Sequence, residues 1–146
     1  MAALRLFTIT VMAIILIPSG AHLFALPAKI GLERDAYFAA QGIYSGWALF
    51  GGPIIAAILA NGSLALAERR RDPTAALWAG AAALLVLSSL LVFFVWVFPA
   101  NQETADWTRK PEGWEALRRH WEWGHAASAL IVFGAFLATA MAVIRR

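Results

Sequence analysis

Apolar positions fall in four long blocks along this chain, separated by polar stretches. The first runs from about Leu6 to Pro27, the second from Gly42 to Leu66, the third from Thr74 to Pro99 and the fourth from Gly124 to Ile144. A helix needs about 20 mostly apolar residues to cross a bilayer, and each block meets that length. The pattern predicts an all-α fold: a transmembrane four-helix bundle forming one domain over residues 1–146, with an ordered extramembrane segment between helices three and four. Gly42 and Gly46 form a G-x-x-x-G pair on the second span, and Gly124 and Ser128 a similar small pair on the fourth, so both should allow close helix approach. Pro18 removes a backbone donor and frees the carbonyl of Ile14, predicting a bend in the first span. Gly51-Gly52-Pro53 predicts the same in the second. A signal-peptide reading of the first block, with Arg5 before it and Ser19-Gly20-Ala21 as cleavage site, is the weaker one. The apolar run continues to Pro27, too far for a typical signal core.

Composition sharpens this picture. Hydrophobic residues make up 61% of the 146 and charged residues 14%, against about 45–50% and 25% in a soluble domain. Mean hydropathy is +0.67. An ordinary soluble enzyme and a disordered chain are excluded, and the absence of cysteine excludes disulfides and thiolate chemistry. The net charge of +3 sits mostly in arginines beside apolar blocks, so nucleic acid is not an expected partner. Four spans put both termini on one side. Arg5, Arg69, Arg70, Arg71, Arg145 and Arg146 lie there, and Lys29, Arg34, Arg109, Lys110, Arg118 and Arg119 lie on the other. The tie breaks on position: Arg69–Arg71 and Arg145–Arg146 abut span ends in short segments, so both termini are expected in the cytoplasm, of a bacterial inner membrane.

The chemistry-capable residues gather at the opposite end. His22 lies near the end of span one, and His120 and His125 where span four begins. Tyr37, Gln41 and Tyr44 enter there, as does the Trp-rich stretch from Asn101 to Trp123. Trp114, Arg118, Glu122 and His125 recur at one helical face, with Trp121 flanking it, so the fourth helix should begin near Glu112, just after Pro111. Tyr37, Gln41, Tyr44 and Ala48 share a face in the same way. An imidazole or carboxylate at the membrane edge needs a partner. His22, Gln41, Tyr44, Arg118, Glu122 and His125 are therefore expected to converge in one polar pocket, with His120 outside it and the Asn101–Trp123 segment packed over the bundle as a cap. Arg118 and Glu122, four apart, could equally be a helix-stabilising pair. Glu122-x-x-His125 places a carboxylate and an imidazole on one face, but di-iron bundles use two such motifs and two further glutamates. No metal ligand set is expected. A haem held by His22 and His125, or a single metal ion, is the minor alternative.

Asn101, Trp107, then Pro111-Glu112-Gly113-Trp114-Glu115-Ala116-Leu117-Arg118-Arg119 running into Trp121-Glu122-x-x-His125 resembles the signature of the anthrone-oxygenase-like family. So do Ala21-His22-Leu23 through Pro27-x-Lys29 and Tyr37, Gln41, Ile43 and Tyr44. These are small four-helix integral membrane proteins, many known only as a domain of unknown function, and the likeness covers nearly the whole chain. The resemblance implies a membrane oxygenase or oxidoreductase acting without a cofactor on a flat, hydrophobic, anthrone- or quinol-like molecule. Such a reaction needs a base, a donor to a developing enolate oxygen, and an aromatic slot. His125 or His22 could be the base, with Glu122 orienting His125. Arg118, Gln41, Tyr44 or Asn101 could stabilise the oxyanion, and Trp114 and Trp121 could stack on the substrate, with Tyr37 lining the pocket. A non-catalytic membrane module, as accessory subunit or lipid or quinone binder, is the competing class, and a channel or transporter the poorer third. Beyond lipid and a hydrophobic small molecule, self-association is left open as a partnership.

Overall fold

The computed structural model describes residues 1–145; Arg146, counted above with Arg145, lies outside them. Four helices are long and apolar enough to span a membrane, and among the described residues there is no strand. Helix α1 spans Ala2–Lys29, α2 Arg34–Gln41, α3 Gly51–Glu68, α4 Pro73–Val92, α5 Phe98–Glu103 and α6 Trp114–Ile144. Helix α6 packs against α1 and α4, and α3 packs against α4 and α1. The four thus form a closed ring.

The bundle is apolar both inside and out. Many of its contacts are made by small residues: Ala75, Ala79 and Ala82 of α4, Ala57 and Ala60 of α3, and Ala135, Ala138 and Ala142 of α6 are all buried, alongside Met12, Ile15, Leu64 and Val86. Large apolar residues point outward, with Phe24 83% exposed and Ile17 and Leu77 each 74%. Lipid solvates those side chains, so nothing drives them inward, while small ones let backbones close up. Asn61 and Thr139 tie α3 to α6 through a buried 2.8 Å hydrogen bond.

Several boundaries depart from the sequence pattern. Helix α1 continues past Pro27 to Lys29 and runs through Pro18 without interruption. The second span does not begin as a helix at Gly42. Residues Gly42–Tyr44 and Trp47–Phe50 are short 3-10 turns, separated by Gly46 in the left-handed region (φ 82°). Gly42 and Gly46 are therefore not a helix-packing pair, and a Cβ at either would meet nothing within 4 Å. Gly51-Gly52-Pro53 forms the first turn of α3 rather than a kink within it, where a proline's missing donor costs nothing. Helix α6 begins at Trp114, not Glu112, because Gly113 takes a left-handed conformation (φ 72°).

The third span runs on from α4 through a π turn, Phe93–Val97, into α5. Pro99 has no N–H to give the carbonyl four residues earlier, and a widened turn is one way the helix absorbs that loss. Gly124 accommodates the bulge. A Cβ there would sit 2.8 Å from Val97 Cγ2 and 3.2 Å from Trp96 Cβ. Ser128, one turn on, reaches the carbonyl of Ser89 at 3.3 Å.

The end carrying the termini is more than a row of arginines. Arg5 donates to Glu68 Oε1 at 2.7 and 3.1 Å and to the carbonyls of Val143 and Arg145. Arg145 pairs with Asp72 at 3.0 Å. Asp72 also caps α4 through the N–H groups of Thr74 and Ala75, which holds its carboxyl below the ordinary range, with Arg145 adding to the effect. Arg69, Arg70 and Arg71 remain exposed.

Candidate functional site

At the other end, the last turns of α1, the first turns of α6, all of α2 and the irregular stretch after it meet in one aromatic cluster. His22, Leu26 and Lys29 recur along one face of α1 and are all buried. Trp121 and Glu122 present the corresponding face of α6, at 3% and 1% exposed. Tyr37, Phe38 and Gln41 of α2 are buried as well.

A carboxylate–ammonium pair lies at the centre. Glu122 Oε1 accepts from Lys29 Nζ at 2.8 Å and from the Tyr37 hydroxyl at 2.9 Å. Lys29 Nζ also donates to the Tyr44 hydroxyl at 3.2 Å and lies 4.4 Å from the ring centres of both Tyr44 and Trp121. Removing a charge from water at this depth is costly, and two charges so placed hold each other. Burial, reinforced by the Glu122 charge, raises the Tyr37 phenol far above its ordinary range. The same causes push Tyr44 up to about 12.

The histidines form the second part. His22 stacks on His125 with ring centres 3.9 Å apart and planes within 11°, and on Tyr44 at 4.5 Å. Trp47 and Trp121 meet it edge-on at 5.2 and 5.1 Å. Axial ligands point a ring nitrogen at an iron between them, whereas rings stacked face to face at this distance aim their nitrogens sideways. The two histidines are therefore not disposed as a haem pair.

The expected convergence holds for His22, Tyr44, Glu122 and His125, but its contacts differ from those anticipated. Glu122 bonds Lys29 and Tyr37 and makes no hydrogen bond to His125. It does not pair with Arg118 either. The Arg118 guanidinium donates to the Leu32 carbonyl at 2.6 Å and lies 4.5 Å from the Trp114 ring centre. Gln41 is buried, with neither amide atom hydrogen-bonded. His120 is exposed and stands apart. Lys29 and Trp47 were missed by the sequence reading. Lys29 is seven residues beyond His22 and so on its face, a signal hidden by ending the helix at Pro27.

The Asn101–Trp123 segment is folded onto the cluster. Trp107 and Trp114 pack against Tyr37 and Phe38. Asn101 Oδ1 accepts from the indole N–H groups of Trp107 at 3.1 Å and Trp121 at 2.9 Å, so its side chain binds the cap to α6. Between them Ala105, Asp106 and Trp107 all have positive φ (48°, 53° and 66°). Each such residue costs about 1–2 kcal/mol. Thr104 Oγ1 holds the turn by accepting from the Trp107 N–H at 3.0 Å, and the Asn101 carbonyl by accepting from Asp106 at 2.7 Å.

Five buried side-chain atoms among the described residues lack a hydrogen-bond partner: His22 Nδ1, Gln41 Nε2 and Oε1, Arg118 Nε and Glu122 Oε2. All belong to residues that the sequence singles out at this end. Two open hollows lie at the surface around this end of the bundle. One, of about 360 Å³, is lined by Glu33, Arg34, Asp35, Trp114 and Glu115, and the other, of about 340 Å³, by Trp96, Arg119, His120, Trp123, Gly124 and Ala127. Comparison of the chain with protein-family models, with curated proteins and with solved structures finds no match.

Proposed function

We propose that this integral membrane protein is a cofactor-independent oxygenase of the anthrone-oxygenase-like kind, taking a flat, hydrophobic carbon acid from the bilayer into the aromatic cluster. The carrying observation is the set of five buried, unpartnered polar atoms on His22, Gln41, Arg118 and Glu122, all at this end of the bundle. Buried polar groups are nearly always paired, so several orphans at one end of the bundle call for a ligand or water. An anthrone-like substrate supplies a ketone oxygen and an acidic carbon. His22 Nδ1 takes the proton from that carbon. The electron pair moves onto the ketone oxygen as an enolate, beside Lys29. An ammonium has three donors, and Glu122 and Tyr44 engage two of them, leaving one for the oxyanion. Gln41 can bind a second oxygen, and Trp121 and Tyr44 supply flat faces. Dioxygen then accepts the carbanion's electrons to give a hydroperoxide, which loses water. The ketone carbon acid and one dioxygen become a quinone and one water, and the base is returned.

The test is dioxygen uptake and quinone formation from anthrone by the protein in lipid nanodiscs. His22→Ala should lower turnover by about 10²-fold or more, and His120→Ala should leave it unchanged. The filled ring cluster favours a second reading, a non-catalytic binder of aromatic molecules. Saturable binding of anthrone without turnover would select it, and neither binding nor turnover would sink both. On the same proposal the membrane is a bacterial inner membrane, and both termini face the cytoplasm, a side favoured by the exposed Arg69–Arg71 run that abuts α3. A periplasmic reporter fused after the last residue should be inactive, and its activity would reverse the orientation.

A further inference from the structure

The hollow between the π turn and α6 has the composition of a lipid headgroup site. His120, Trp123, Gly124 and Ala127 recur at i, i+3, i+4 and i+7, which makes them one face of α6. Trp96 faces them from the π turn, and Arg119 completes the lining. Trp96 is 50% exposed and Trp123 60%. No carboxylate lines the hollow, and among the described residues Arg119 and His120 form no ion pair and no side-chain hydrogen bond. Their donors therefore face outward unclaimed, above an apolar floor formed where Gly124 lets the π turn close on α6.

Its depth fits the membrane edge. Helix α6 has 31 residues, about 46 Å at 1.5 Å each, whereas the hydrocarbon layer is about 30 Å thick. About ten residues must project, and counting back about 20 from Ile144 reaches Trp123 and Gly124. On the third span, Trp78 and Trp96 are 18 positions apart, about 27 Å, so they bracket the same layer. Trp96 and Trp123 thus lie at one boundary, where indoles favour the headgroup level, with Arg119 and His120 just outside it.

We infer that the hollow lined by Trp96, Arg119, His120, Trp123, Gly124 and Ala127 binds an anionic phospholipid, with its phosphate on Arg119 and His120 and its glycerol and upper acyl chain against the two indoles and Ala127. The commitment to an acidic lipid rests on charge. A guanidinium and an imidazole N–H both donate to phosphate, and no acid is present to complete a zwitterionic headgroup's ammonium. The site is independent of the proposed reaction, because none of its residues belongs to the ring cluster.

The full chain in detergent micelles is titrated with phosphatidylglycerol or phosphatidylcholine carrying brominated acyl chains, and tryptophan quenching is read. Phosphatidylglycerol should quench at a concentration at least about fivefold lower, the effect of one basic side chain near an acidic lipid. Arg119→Gln with His120→Gln should erase that preference, and Arg34→Gln, an exposed arginine at the same end, should keep it. Trp96→Phe with Trp123→Phe should remove most of the quenching. Because Arg119 and His120 are exposed, their substitution leaves helicity by circular dichroism unchanged. Equal quenching by the two lipids, or a preference that survives the double substitution, would overturn the site. Glycerol phosphate should not displace the lipid at matched concentration. Displacement by it would mean a soluble-phosphate site and would also overturn the lipid assignment.

Discussion

At the scale of single residues the decisive unit is Lys29–Glu122. Breaking a buried pair leaves one uncompensated charge and typically costs about 3–5 kcal/mol, whereas removing both charges costs much less. Lys29→Met should therefore destabilise the protein by about that amount, and Lys29→Met with Glu122→Gln should recover most of the loss, measured as unfolding in mixed micelles. Equal losses from the single and double substitutions would show that the pair is not coupled. The two tyrosines beside it are the only ones in the chain, which makes them a clean optical probe. Both phenols are raised from an ordinary value of 10.0, Tyr44 to about 12. Raised groups stabilise the fold fully below pH 10, and the stabilisation is lost as pH rises through their folded values. Tyrosinate absorbance should be absent from the folded protein at pH 10.5 and emerge only near pH 12 or on unfolding. In denaturant it should emerge near pH 10.

At the scale of elements the π turn and α6 are fitted to each other. A methyl group at position 124 would meet Val97 and Trp96 at 2.8 and 3.2 Å, and Val is stiff at χ1. Gly124→Ala should lower stability by about 1–3 kcal/mol. Gly42→Ala meets open space and should change it by less than about 0.5 kcal/mol. The reverse ranking of the two in thermal unfolding would restore Gly42 as a packing position. The cap of α4 responds to acid instead. Asp72 is depressed from its ordinary 3.8, first by the Ala75 N–H and further by Arg145. A depressed carboxylate contributes above its unfolded value, and the contribution is lost as pH falls through the folded value. The Asp72–Arg145 tie should therefore loosen only below about pH 4, seen as faster amide exchange at Thr74 and Ala75.

At the scale of the molecule the two ends of the bundle have different jobs for their charges. Arg5–Glu68 and Arg145–Asp72 join the ends of helices distant in sequence. The opposite end spends its charges inside an aromatic cluster and leaves five polar atoms without partners. Among the described residues, buried and unmet hydrogen-bonding capacity thus lies at one end of the bundle.

The four apolar helices were legible in the chain because bilayer thickness sets a length and a composition that any spanning helix must meet. The gathering of His22, Tyr44, Glu122 and His125 at one end was legible too, since helical spacing and alternating span direction place them at one depth. What spacing could not supply was partner choice. Glu122 has Arg118 one turn away on its own helix, yet it bonds Lys29, because burial between α1 and α6 rewards the nearer desolvated ammonium over the pair that can reach water. The glycines at 42 and 46 have the same spacing as a packing motif, but Gly46 at φ 82° ends the helical path before it can form. Gly124, with a similar pattern, packs against Val97 only because the third span widens there. Local sequence determines where a helix can exist and how deep its side chains lie. Which neighbour each side chain meets depends on how four helices close into a ring, and that is decided only when they do.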